Sequence, residues 1–414
     1  MTEALRTSPL RRVIEIFAFL SLVLLSAQGV LNYVFAATPL VVWKQILIPA
    51  VFAAVLLIYR RRQDVTLSVV VAALGGVLAF YTVAAGNPTE AAIYNMFYYT
   101  GWVPFYLLGT SIDLQRNKHL ITGAAFWMLT LGALGLLLQL FTSSLDFLKD
   151  TDASLYRSRF GETQRYAFVF VASTGVMPTL LGYYRLLAID RAAVGSRIYG
   201  VATLALSGVP TGSLSSLIAF IAAVGATFVR LRSASRLGLV IAIVLAGGAL
   251  VTYGGDLVAV QLERITGNGV ESESNQERID LWRQALEIIG GFSPEAHLVG
   301  LGLGTTNGNY FGDAHVVHGE STFFQAYIEG GVIGLGLRIM PFILLFTAAI
   351  KLPKKADDLF YGFALFACCA VAPIFGMFGL SCVLGFVAGI AVARARVLSP
   401  RKVAPMPIPE GVVA

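Results

Sequence analysis

Glu320 and His318 stand at the head of an apolar run, in the stretch HGESTFFQAYIEGGVIG over 318–334. A carboxyl group at such a boundary suits the work of a general base. His318, two residues earlier, can do the same work or orient the carboxyl group. A plainer role is open to the same residues. Glu320 or Ser321 can cap the helix that follows, where the helix dipole favours a carboxylate, and spacing alone favours capping. Further along, Glu329 either pairs with an arginine or meets a substrate. His315, His318, Asp313 and Glu320 resemble a set of metal ligands, but nothing in their spacing fixes a geometry, so no metal site is expected. His297 and His315 read as ordinary loop residues.

The arginines form a second group: Arg157, Arg159 and Arg165, then Arg264, Arg278 and Arg283. A guanidinium is planar, permanently charged and multidentate, which suits phosphate oxygens. Each can instead pair with Asp150, Asp152, Glu277 or Asp280, or touch lipid headgroups. Arg338 lies about five turns beyond Glu320 if the helix is continuous. An arginine inside an apolar helix is a functional candidate, although it can also snorkel or pair internally.

These residues need a scaffold, and composition says which kind. Of the 414 residues 57% are apolar and 13% charged. A soluble domain cannot hide that much apolar surface, whereas membrane-crossing helices require it. Apolar runs recur at 13–35, 40–59, 66–86, 92–112, 119–141, 166–188, 196–209, 213–229, 237–253, 322–350, 357–377 and 379–395. The expectation is an all-α, polytopic membrane helix bundle of about twelve spans. The first run is too long for a signal-peptide core and reads as a retained span.

Basic clusters set the orientation. Arg6, Arg11 and Arg12, the triplet at 60–62, Arg116 and Lys118, Arg191 and Arg197, the cluster at 230–236, KLPKK at 351–355 and Arg394, Arg396, Arg401 and Lys402 all fall on one face. That places both termini in the cytoplasm. Residues 1–253 then hold the first nine spans with a shorter outer loop at 142–165. Residues 254–321 form a large outer loop, 322–396 the last three spans, and 397–414 a cytoplasmic tail. Within the large loop, Ile279, Trp282, Ala285, Leu286 and Ile289 make one helical stripe. Ser274 or Asn275 is expected to cap this amphipathic helix and Gly290-Gly291 to end it. Cys368, Cys369 and Cys382 lie in apolar runs and read as packing residues.

Glu320-Ser321, nine residues, then Gly331-Val332-Ile333-Gly334 resembles the signature of the O-antigen ligase and polymerase superfamily. Arg278-x-x-x-Trp282 followed by Gly300, Gly302 and Gly304 resembles the same family's upstream helix and glycine loop, and the span layout is similar too. Two positions depart from the pattern. Glu320 stands where ligases carry histidine, which is closer to the polysaccharide polymerases, and Leu214 occupies an expected arginine position.

The resemblance implies a metal-independent glycosyltransferase on the periplasmic face of the bacterial inner membrane, using no cofactor. Its donor is a glycan on undecaprenyl pyrophosphate and its acceptor a glycan or lipid-linked sugar. Membrane lipids, chain-length regulators and flippases are the expected partners, with no nucleic acid. By position, Glu320 takes the base slot with His318 beside it, and Arg278 the pyrophosphate slot. Arg159 and Arg165 are the choices to replace the arginine missing at 214, and Arg283 and Arg338 are further pyrophosphate candidates. Tyr310, Phe323, Tyr327 and Glu329 are the expected sugar contacts, with aromatic faces for stacking. A ligase transferring glycan to lipid A core is the alternative within the family. A polyprenyl-glycan flippase or secondary transporter is the alternative outside it.

Overall fold

The computed structural model describes residues 9–26, 43–58, 62–112, 270–306, 321–352 and 378–398, the backbone of 156–159 and 163–166, and isolated positions elsewhere. The runs at 119–141, 166–188, 196–209, 213–229, 237–253 and 357–377 lie wholly or largely outside these residues. So do 254–269, Tyr310, His318, Glu320 and the tail from 399.

The described part of the chain is predominantly helical. Helices α1 (Pro9–Ser26), α2 (Trp43–Ile58) and α3 (Arg62–Ala84) coincide with the first three apolar runs. The fourth run is a rod in two pieces, α4 (Thr89–Thr100) and α5 (Trp102–Ser111), jointed at Gly101. Pro104 is tolerated because it sits in the first turn of α5, where an amide has no helical partner to lose. In the large loop α6 (Val270–Gly290) is followed by α7 (Pro294–Val299). Then come α8 (Thr322–Ile350) and α9 (Phe378–Leu398).

Helices α3 and α8 are long and apolar enough to cross a membrane. Their outward faces are apolar as well: Phe80 is 77% exposed, and Val69, Val77, Ile343 and Ile350 also point outward. Helices apolar on all sides belong in a core or in lipid.

The tightest packing joins α5 to α9. Gly385 and Gly389, one turn apart on α9, face the carbonyls of Trp102 and Tyr106, and Gly109 faces the backbone of Phe386, Gly389 and Ile390. A Cβ at any of the three would fall closer than 3.0 Å to that backbone. Small residues one turn apart allow two helix backbones to approach this closely.

Polar links define the two ends of the bundle. At one end Arg11 bonds Glu15 (3.0 Å) and the Ser111 carbonyl (2.9 Å), Arg12 bonds Asn117, and Arg396 bonds Asp64. Basic residues from α1 and α9 thus gather at the end where α3 begins and α5 finishes. At the other end the chain following α7 meets Thr82 and Asn87 at the close of α3.

Helix α6 begins at Val270, earlier than the cap expected at Ser274 or Asn275, and its end at Gly290-Gly291 is as read from the sequence. In the shorter loop, β1 (Tyr156–Arg159) pairs antiparallel with β2 (Thr163–Tyr166), a small departure from an all-α fold.

The expectation of one continuous helix over 322–350 needs correction. Gly331 adopts φ 57° and ψ −150°, which divides α8 in two. A Cβ on Gly334 would overlap the Ala326 carbonyl. In a straight helix those positions are separated by about 12 Å of rise, so the segment 322–330 folds back against the segment 332–350. The longer segment alone rises about 28 Å, close to the roughly 30 Å of a hydrocarbon core.

Candidate functional site

The elbow at Gly331 is built from two glycine motifs pressed together. Gly300 has φ 74° and ψ −163°, and Gly331 is also left-handed, so side chains at either position would be strained. Space forbids them too. A Cβ on Gly300 would strike the Glu329–Gly330 peptide, and one on Gly331 would strike the Leu298 carbonyl. Where a helix breaks, the carbonyls before the break lose their partners four residues on. Here the Ile328 carbonyl accepts from Leu301 N (2.8 Å) and the Glu329 carbonyl from Gly302 N (3.1 Å). The glycine loop thus completes the hydrogen bonding of the broken helix.

Beneath the elbow lies a buried polar cluster centred on Glu329, itself 1% exposed. Its carboxyl group accepts from Tyr99 Oη (3.0 Å), from the Thr306 hydroxyl and from Gln325 Nε2 (3.3 Å). Gln325 Nε2 also lies 3.3 Å from Thr306 Oγ1. Arg338, 4% exposed, stacks its guanidinium 4.1 Å from the centre of the Tyr99 ring and donates to the Tyr98 carbonyl at 2.7 Å. That carbonyl belongs to the last turn of α4, where a cation is favoured by the helix dipole. Glu329 and Arg338 therefore converge on Tyr99. On a continuous helix residues nine apart lie on opposite faces, about 13 Å apart in rise, so the elbow makes the convergence possible.

Around the mouth of the elbow, Tyr327 lies parallel to Phe292, with ring centroids 6.2 Å apart and an interplanar angle of 6°. Its hydroxyl is 2.8 Å from His297 Nδ1. His297 is thus not an ordinary loop residue: it occupies the last turn of α7 and holds Tyr327. Ser293 caps α7 by accepting from Ala296 N at 3.2 Å. Helix α6 rests on the start of α8 through an edge-to-face contact of Trp282 with Phe324 at 6.3 Å. The apolar stripe is only partly covered: Ala285 is buried, while Ile279 and Leu286 remain exposed.

The residues singled out from the sequence divide into four sets. Phe323, Tyr327, Glu329 and Arg338 come together within or beside the elbow, and Phe323 packs on Phe366 with ring centroids 4.7 Å apart. Arg283 is exposed on α6 and pairs with Asp280 at 3.1 Å, while Arg278 lies on the same helix. Arg159 and Arg165 lie on the hairpin, whose register sets Arg157 opposite Arg165. Glu320, His318 and Tyr310 are outside the described residues. Ser321 occupies the N-cap position of α8, but its side chain makes no capping bond. Nothing in the sequence around Tyr99 and Thr306 marks them as partners of Glu329. Only the Gln325–Glu329 spacing of one helical turn hinted at this cluster.

No protein-family model matches this chain, and no curated protein does either.

Proposed function

We propose that the protein is a polytopic glycosyltransferase of the bacterial inner membrane. It lengthens undecaprenyl-pyrophosphate-linked oligosaccharide repeat units on the periplasmic face, with about twelve spans and both termini cytoplasmic. One observation carries the reading. The two glycine motifs behind the family resemblance, Gly300–Gly304 and Gly331–Gly334, are far apart in sequence yet interlock at one elbow. A shared site requires that meeting. The hairpin adds cationic charge suited to a diphosphate, with Arg157 and Arg165 at paired positions of its two strands.

In this reaction an acceptor hydroxyl attacks the anomeric carbon of the donor glycan, and Glu320 takes the hydroxyl proton. The bond between that carbon and the pyrophosphate oxygen breaks, and undecaprenyl pyrophosphate leaves. Guanidinium charge from Arg159, Arg165 and Arg278 stabilises the negative charge that develops on it. Tyr327 and Phe323 offer aromatic faces to the incoming sugars.

A transporter or flippase draws on a different observation, namely acid and arginine side chains buried together beside a broken helix. Two experiments separate the readings. Membranes carrying Glu320→Gln are supplied with lipid-linked repeat units and assayed for chain length. Elongation should fall about 100-fold or more, with the protein still inserted. Polymer of normal length from Glu320→Gln would remove this residue from the mechanism. Finished long chains accumulating on the lipid carrier in a deletion strain would point to a ligase, and failure of the units to reach the periplasm would point to a transporter.

A further inference from the structure

We propose that Glu329 is the positioning residue of this site: it holds the segment 322–330 in its orientation by latching it to the glycine loop and to α4. The inference rests on the glycosyltransferase reading for its kinetic consequence, but not for its structural one.

The segment 322–330 carries Phe323, Phe324, Gln325, Tyr327 and Glu329, and Glu320 lies just before it. In an unbroken helix its direction would be dictated by the rigid rod that follows. Gly331 removes that constraint, because the left-handed backbone there interrupts the helix. Something else must fix the orientation, and the contacts to do so are present. Two backbone bonds run from Leu301 N and Gly302 N to the carbonyls of Ile328 and Glu329. The Glu329 side chain ties the same segment to Tyr99 on α4 and to Thr306 at the far end of the glycine loop. Among the described residues, Thr306 is held to the segment through side chains. Leu303 N and Asn87 Nδ2 anchor the middle of the loop to α3 and the turn after it, with bonds to Thr82 Oγ1 at 2.8 Å and from Asn87 to the Leu301 carbonyl at 3.2 Å. Glu329 is therefore the one described side chain that joins α4, the loop and the short segment at a single group. Arg338, from the longer segment, stacks on the ring of the same Tyr99 whose hydroxyl donates to Glu329.

A group so buried does not meet a sugar directly, which sets Glu329 apart from the expected sugar contacts. Its effect on chemistry passes through placement. A displacement of about 1 Å at a reacting group can cost on the order of 100-fold in rate. Loss of the latch should thus lower turnover while leaving donor binding, which is assigned to arginines elsewhere, nearly unchanged.

The test uses the full-length protein in lipid nanodiscs, comparing wild type with Glu329→Ala and Thr306→Val. Amide exchange over 300–306 should rise about tenfold in Glu329→Ala and less in Thr306→Val, with α5 and α9 as protected as in wild type. With lipid-linked repeat units as substrate, kcat should fall about tenfold or more with KM for the donor within about twofold. The double variant Glu329→Gln, Arg338→Met should recover the exchange protection lost in Glu329→Ala, because it removes both buried charges and keeps a carbonyl acceptor. Unchanged exchange over 300–306 in Glu329→Ala would overturn the proposal, as would a rise in KM with kcat untouched. If Glu329→Ala does not fold, Thr306→Val decides on the same two readouts. Should wild-type protein make no polymer, the glycosyltransferase reading fails while the exchange result still judges the latch.

Discussion

Asp64 shows how a charged residue can be kept inside an apolar bundle. It is 3% exposed and lies in the first turn of α3, where the helix dipole favours a carboxylate. Arg396 meets it with two parallel bonds of 2.7 Å, and Tyr106 Oη donates a third at 3.0 Å. Bidentate geometry of this kind is among the stronger polar contacts in proteins. Removing the guanidinium takes two charge-assisted bonds from a buried carboxylate. Arg396→Met should therefore destabilise the folded state by about 3 kcal/mol, measured by unfolding in mixed micelles. The double change Asp64→Leu, Arg396→Met should return close to wild type. Stability of Arg396→Met equal to wild type would mean that the pair contributes nothing. No reading of the sequence could join these residues, because they lie 332 positions apart. What the sequence did offer was the end of each helix at which a charge stands. The Glu329 cluster was hidden for the same reason: Tyr99 is one of four aromatic residues in FYYTGW, and nothing there marks it as a donor.

At the level of elements, hydropathy located the start of α1 and both ends of α2, α3, the α4–α5 rod, α8 and α9 within a few residues, because apolar runs of span length have little else to become. It was blind to the elbow. Glycines are tolerated inside apolar helices, so Gly330-Gly331 reads as well for a continuous rod as for a break. The decision is made by the partner loop, whose Leu301 and Gly302 amides await acceptors. Gly331→Ala tests this directly. Strain of about 1–3 kcal/mol from the backbone alone, added to a collision with the Leu298 carbonyl, should lower the melting temperature and disconnect the glycine loop. Gly336→Ala, on the same helix with nothing within 4 Å of the added carbon, should melt like wild type. Equal melting of the two variants would mean that the break tolerates a side chain. The hairpin was equally illegible, since TSSLDFLKDTDASLYRSRFGETQR has no strict alternation to announce it.

For the molecule as a whole, the proposed orientation makes a prediction that needs no substrate. In a background with Cys368, Cys369 and Cys382 replaced by alanine, single cysteines at Arg61 and Lys354 should resist a membrane-impermeant thiol reagent in intact spheroplasts. Cysteines at Ser158 and Asn307 should react. Labelling of the first pair in sealed cells would invert the topology and move the candidate site to the cytoplasm. The seam between α5 and α9 bears on how such a molecule comes into being. Its three glycines bring two backbones so near that no lipid chain can remain between them. Yet α9 leaves the ribosome long after α5 has been synthesised. During that interval the groove on α5 beside Gly109 stays vacant or holds a temporary occupant. A chain interrupted before residue 378 would keep that groove open for good, a mark by which quality-control proteases could tell an unfinished bundle from a complete one.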